Sequence, residues 1–134
     1  MTSTQFKAIQ TTENYNNGQK AEQIARFNMT GEFCKADNKK ATECGDCMGY
    51  QIKSARATIC KGTDIAAHIE SDAAIGYIYI TKELVAYTMS KAEYLEFATL
   101  FATLTRESTK NGGAEKMRFK SESKTLLEWL RARA

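Results

Sequence analysis

The six residues Ile75 to Ile80, IGYIYI, constrain this fold more than any other stretch of the chain. β-Branched and aromatic side chains follow one another without a polar break, which reads as a buried strand. A buried strand needs partners at its edges and cover on its faces, so the chain must build a sheet with other layers around it. The next apolar segment, Glu83 to Ser90 (ELVAYTMS), pairs with it as a hairpin through Thr81-Lys82. Ser90-Lys91-Ala92-Glu93 is then a capping box, in which the serine and the glutamate each satisfy a backbone N–H at a helix start. The helix it opens is expected to reach about Leu104, with Tyr94, Phe97, Phe101 and Leu104 on one face.

The rest of the chain is ordered around this unit. Residues 1–14 are polar and are expected to be a flexible N-terminal segment, leaving 15–134 as a single domain. Asn16-Asn17-Gly18 opens a short helix near Asn17, with Ala21, Ile24 and Ala25 as its apolar stripe and Glu22 beside it. An extended run (TGEFCKAD) and a loop or tight hairpin turn (NKKATECGD) follow. The best strand of the first half is GYQIKSARATIC, Gly49 to Cys60, whose alternation puts Gln51, Lys53, Ala55 and Ala57 on one face. GTDIAAHIESD is a short helix capped by Thr63 or Asp64. Thr105 to Ser123 reads as a loop broken at Asn111-Gly112-Gly113, with a short strand near Met117 to Phe119. SKTLLEWLRARA closes as an amphipathic helix, with Leu126, Leu127 and Leu130 inward. This order predicts a mixed α+β (α/β) layer structure, a central mixed sheet flanked by helices.

No apolar run approaches the roughly 20 residues of a membrane span. The N-terminus carries no hydrophobic signal core, so a cytoplasmic location with no membrane partner is expected. The formal charge is +3, and the stretch from Arg106 to Ala134 holds eight Lys/Arg against four Glu, so it carries the whole surplus. Within it Arg106, Lys110, Lys116, Arg118 and Lys120 surround the Lys110-Asn111-Gly112-Gly113 loop. Clustered cations at a glycine-rich loop suit a phosphate backbone, so these five residues are expected to contact nucleic acid. The four cysteines, Cys34, Cys44, Cys47 and Cys60, include one CxxC pair, and a small zinc-stabilised adaptor is one alternative. Two lone flanking cysteines make free thiols the favoured reading. His68 is the only histidine and reads as a surface residue. Trp129 reads as a core or dimer contact. No phosphate-binding loop or dinucleotide fingerprint is present.

The chemistry concentrates at Gln51 and Lys53. An amide oxygen beside a lysine ammonium on one strand face, with acids upstream, is what metal-assisted phosphodiester cleavage uses. Acids hold Mg²⁺ or Mn²⁺ through hard oxygen ligands. The metal neutralises charge on the phosphate, and the lysine orients the attacking water. Asp37, a spacer and Gln51-Ile52-Lys53-Ser54 resemble the active-site signature of the PD-(D/E)XK nuclease superfamily. The chain also resembles small phage or prophage proteins with a KADN…GD…QIKS pattern. The resemblance implies a restriction-endonuclease-like core, a Mg²⁺-dependent endonuclease activity on DNA, and often a homodimer. It implies metal ligation by Glu22, by Asp37 or Asp46, and by Gln51, with Lys53 catalytic beside Gln51 and Ser54 a phosphate contact. Asp37 has the more usual spacing before Gln51; Asp46 follows a glycine, as the superfamily's aspartate often does. Gln51 stands where an acid is usual, and no proline precedes either aspartate. A non-catalytic nucleic-acid- or protein-binding module on the same fold is therefore the rival expectation.

Overall fold

The computed structural model describes residues 1–5, 49–106 and 114–134. Their architecture is mixed α+β, with two sheets and three helices. The elements are β1 (Thr2–Gln5), β2 (Tyr50–Ser54), β3 (Thr58–Lys61), α1 (Ile65–Ser71), β4 (Gly76–Ile80), β5 (Val85–Ser90), α2 (Lys91–Phe101), β6 (Ala102–Arg106), β7 (Glu115–Phe119) and α3 (Lys124–Arg133). The first sheet has the order β1-β5-β4-β2, and the second the order β3-β7-β6. β4 pairs antiparallel with β5 and parallel with β2, so the first sheet is mixed. The second sheet is antiparallel throughout.

The apolar run at Ile75 to Ile80 forms the centre of the first sheet, and every residue of β4 is buried. The β4–β5 hairpin closes through residues 81–84, with the Thr81 N–H donating to Val85 O at 2.9 Å and Leu84 at φ 65°. Gly76 sits where nothing larger fits, since a Cβ there would lie 2.5 Å from Met89 O and 2.8 Å from the Tyr50 ring. The α2 capping box forms as expected: the Glu93 N–H donates to Ser90 Oγ, and the Ser90 N–H donates to Glu93 Oε1. α1 is capped by Asp64, and α3 by Ser123.

One face of the first sheet carries Tyr77, Tyr79, Tyr87 and Met89 into the main core. There they meet Tyr94 and Phe97 of α2, Phe119 of β7, and Leu126 and Leu130 of α3. Tyr77 stacks on Tyr94 with centroids 4.0 Å apart, and Phe97 packs edge-on to Tyr79 and stacks with Trp129. The opposite face holds a smaller cluster of Ile52, Ile78, Ile80 and Ala86.

Four expectations change. The strand expected over Gly49 to Cys60 is two strands in different sheets. Ala57 N donates to Ser54 O at 3.0 Å, and Arg56 lies in the left-handed region at φ 68°, so the chain turns between them. Ala55 and Ala57 therefore leave the face that Gln51 and Lys53 share. α2 stops at Phe101 rather than near Leu104, because Ala102 takes an extended conformation and caps the helix with its N–H on Ala98 O. Residues 102–106 then form β6, which pairs with a β7 that starts at Glu115, two residues earlier than expected. Within the segment expected to be flexible, Thr2–Gln5 are a strand on β5; residues 6–14 lie outside the described residues, as does the helix expected near Asn17. As expected, Leu126 and Leu130 are buried in the core, and Trp129 packs on Phe97 and Phe101. Among the described residues no helix is long and apolar enough to cross a membrane.

Candidate functional site

β2 is the edge strand of the first sheet among the described residues. Its parallel register sets Gln51 beside Tyr77 and Lys53 beside Tyr79. Ladder neighbours share a face, so Gln51 and Lys53 project from the tyrosine-bearing side of the sheet while Ile52 anchors the strand in the opposite cluster. Both polar residues are half-buried. The strand is held in place by local necessity. Ile52 packs beside Ile78, Tyr50 lies across Gly76, and Ile75 N donates to Gly49 O at 2.8 Å, extending the parallel ladder.

The tyrosines flanking this pair are fixed by carboxylates. The Tyr77 hydroxyl donates to Asp72 Oδ2 at 2.8 Å. The Tyr79 hydroxyl donates to Glu122 Oε1 at 3.1 Å, and the same oxygen accepts the Lys82 N–H at 2.8 Å. Burial first, and then the neighbouring carboxylate, pushes both phenols far above the usual tyrosine range. Asp72 is occupied further, because its Oδ1 caps the Ala74 N–H and its carbonyl accepts from Lys91 Nζ. Lys53 makes no ion pair with a described carboxylate.

Among the described residues no group of three or more His, Cys, Asp or Glu could hold a metal ion. The candidate ligands Glu22, Asp37 and Asp46 lie outside the described residues, as do Lys110, Cys34, Cys44 and Cys47. Gln51 supplies one amide oxygen on a strand that carries no carboxylate, which suits Mg²⁺ or Mn²⁺ only as one ligand of a larger set. Cys60 is buried in the main core, and its thiol donates weakly to Gly62 O. Desolvation raises its pKa, which favours the neutral thiol over a metal-binding thiolate.

The cations expected near the glycine-rich loop divide between two faces. Glu115, Met117 and Phe119 alternate with Lys116 and Arg118 along β7, and Phe119 points into the core. Arg106 stands opposite Glu115 and pairs with it at 2.8 Å, away from Lys116 and Arg118. Lys116 and Arg118 lie on the outer face, and Lys120 is exposed just beyond the strand. The register adds Lys61, directly opposite Lys116, and Thr58, opposite Arg118. Lys61 was hidden in the sequence because it is isolated there; only strand pairing brings it to the basic tail. Ser54 ends β2, and its carbonyl accepts the turn N–H of Ala57.

No family model, no curated protein and no solved structure matches this chain.

Proposed function

We propose that the chain is a metal-dependent DNA endonuclease of PD-(D/E)XK type, with its reaction centre on β2. The observation that carries this reading is Gln51 and Lys53 side by side on one half-buried face of an edge strand, held at their positions by the packing of Ile52 and Tyr50. A lysine at a half-buried strand position desolvates part of its stem, and a strand edge leaves room for a polymer to approach.

Gln51, with Glu22 and Asp37 or Asp46, would hold Mg²⁺ or Mn²⁺, which supplies charge neutralisation on the phosphate and a water of lowered pKa. Lys53 places its ammonium at the scissile phosphate. It donates to the attacking water or to a non-bridging oxygen, where charge grows as the phosphorus becomes five-coordinate. The ammonium is most effective there because the Tyr77–Tyr79 face beside it is dry. The water oxygen bonds to phosphorus and gives up its proton to solvent, the phosphorus–oxygen ester bond breaks, and its electron pair leaves on the departing strand end, whose oxygen takes up a proton from solvent. Ser54, one residue beyond, sits beside Ile80 and so alternates to the opposite face of the strand, away from the Lys53 ammonium.

Gln51 also favours a second reading, a non-catalytic DNA-binding module, because a neutral amide binds a divalent cation more weakly than a carboxylate. The test is cutting of supercoiled plasmid, linear duplex and single-stranded DNA in Mg²⁺ or Mn²⁺. The endonuclease reading expects cutting by the wild type and none by Lys53→Ala. No cutting of any of the three substrates, with DNA binding retained, moves the assignment to the binding module.

A further inference from the structure

The second sheet ends on β6, whose one described strand partner is β7. The direction of its backbone groups follows from β7. Gly62 N donates to Glu115 O at 2.7 Å, and Phe119 N donates to Ala57 O at 3.3 Å, so Glu115 and Phe119 turn their backbone toward β3. Backbone groups alternate sides along a strand, so residues 116 and 118 turn theirs toward Thr105 and Thr103. Ala102, Leu104 and Arg106 therefore aim their N–H and C=O groups away from the sheet. The Ala102 N–H fits this, because it turns back to Ala98 O and caps α2. The N–H groups of Leu104 and Arg106 and the carbonyls of Ala102, Leu104 and Arg106 are left along an edge that no described strand covers. The Leu104 side chain on this edge is 52% exposed.

Strand edges are commonly blunted by bulges, charges or polar side chains. β3 has an irregular register between Thr58 and Cys60 and ends in exposed Lys61, β2 carries Lys53, and β1 consists of exposed polar residues. β6 has neither bulge nor lysine, and it presents a leucine. We infer that β6 is the strand through which two copies of this chain pair, antiparallel about a two-fold axis at Leu104, to make one continuous sheet. The inference does not depend on the reading of β2. Outward backbone groups on one strand must meet outward groups on the other, and the outward set is symmetric about Leu104, so this strand matches itself. Leu104 lies opposite Leu104 of the second copy, and the two exchange both N–H···O bonds. Arg106 lies opposite Ala102 of the second copy and donates its N–H to that free carbonyl. The side chains agree with this register. Thr103 meets Thr105, a favourable cross-strand pair, and leucine meets leucine. No like charges face each other, because Arg106 meets alanine and is paired with Glu115 of its own chain at 2.8 Å. A foreign strand would gain backbone bonds, but only a second copy brings this matched set. A 5-residue edge falls well short of the roughly 20–30 residues a side of a standard interface, so the pair is weak, with a Kd on the order of 0.1 mM.

Sedimentation equilibrium and amide exchange by NMR, both under reducing conditions so that no disulfide links the copies, test this between about 50 µM and about 1 mM protein. At that Kd about 60% of chains are monomeric at the lower concentration and about 20% at the higher. The Leu104 and Arg106 amides should therefore exchange about threefold more slowly at 1 mM, while those of Thr103 and Thr105, already turned to β7, should not change. Leu104→Lys sets two lysines opposite each other and should stay monomeric at 1 mM. Leu104→Pro removes only an outward N–H, which an edge strand tolerates, and should do the same. Ser3→Lys, on the edge of β1, should dimerise like the wild type. A wild type that is monomeric at 1 mM overturns the inference. So does a Leu104→Lys variant that melts normally and still dimerises, or a dimer lost in Ser3→Lys. Should both Leu104 variants unfold, the wild-type exchange decides. Concentration-dependent protection at Leu104 and Arg106 supports pairing through β6, and protection elsewhere without it overturns that pairing.

Discussion

Two buried tyrosines in the same core predict opposite responses to the same one-atom change. Tyr79 and Tyr94 are both fully buried. The Tyr79 hydroxyl donates to Glu122, whereas the Tyr94 hydroxyl finds no hydrogen-bond partner among the described residues. Tyr79→Phe removes a hydrogen bond to a charged acceptor, a class that contributes about 1.5–3 kcal/mol. Glu122 keeps the Lys82 N–H and is only half-buried, so its carboxylate stays partly satisfied and the loss falls at the lower end, about 1.5 kcal/mol. Tyr94→Phe removes a hydroxyl that has been desolvated without compensation, a penalty of about 1–3 kcal/mol. A small void takes back part of that gain, leaving about 1 kcal/mol of stabilisation. For a chain of this size about 1 kcal/mol moves Tm by about 3–5 °C. Tyr79→Phe should therefore melt about 6 °C lower and Tyr94→Phe about 4 °C higher, a gap of about 10 °C. Urea unfolding followed by circular dichroism gives both free energies with the same m-value. Equal losses in the two variants, or a loss above about 1 kcal/mol for Tyr94→Phe, would show that the Tyr94 hydroxyl is paired and would refute the reasoning.

Burial raises the pKa of Tyr77, Tyr79 and Tyr94 well above the ordinary value. The folded state therefore holds their protons after the unfolded chain has released them. Their contribution is complete below about pH 10 and falls as pH rises beyond it, by up to about 4 kcal/mol per pH unit for the three together. Tyrosinate absorbance should rise with unfolding in one cooperative step, and gradual titration without unfolding would contradict this. Leu130→Ala, at a position that is 0% exposed where α3 meets the core, should lose about 2–5 kcal/mol in urea unfolding. Ser90→Ala removes the hydroxyl that accepts the Glu93 N–H and should lower stability by about 1 kcal/mol, read the same way. Gln51→Glu puts a carboxylate where the amide stands and should lower the Mg²⁺ concentration needed for half-maximal DNA cutting. An unchanged requirement would separate Gln51 from the metal.

The β4–β5 hairpin, the start of α2 and all of α3 were legible because each is specified locally, by an unbroken β-forming run, a capping box and a leucine stripe. The end of α2 was misread because Leu104 falls at helical spacing from Phe97 and Phe101, yet it stands half-exposed on β6. β1 escaped notice because Thr2–Gln5 is polar and exposed; its strand is made by backbone pairing with β5, which leaves no apolar pattern. The division into two sheets was hidden at Arg56, where the chain turns without glycine, proline or asparagine. The pairing of Gln51 with Lys53 followed from alternation within one strand. The grouping of Lys61 with Lys116 and Arg118 depends on the register of strands more than 50 residues apart, which a linear reading does not contain. Register also removed Arg106 from that group, by placing it opposite Glu115.

The central claim is chemical and rests on one side chain, so the most direct test is the single-turnover rate of plasmid nicking in saturating Mn²⁺ for wild type and Lys53→Met. Methionine keeps the length of the stem and removes the charge. The account predicts a loss of at least about 100-fold, the scale of one positioned proton-transfer or charge-stabilising group, with Tm unchanged. Equal nicking rates in two equally folded proteins would contradict it, and the activity would then belong to another site or to none on this strand.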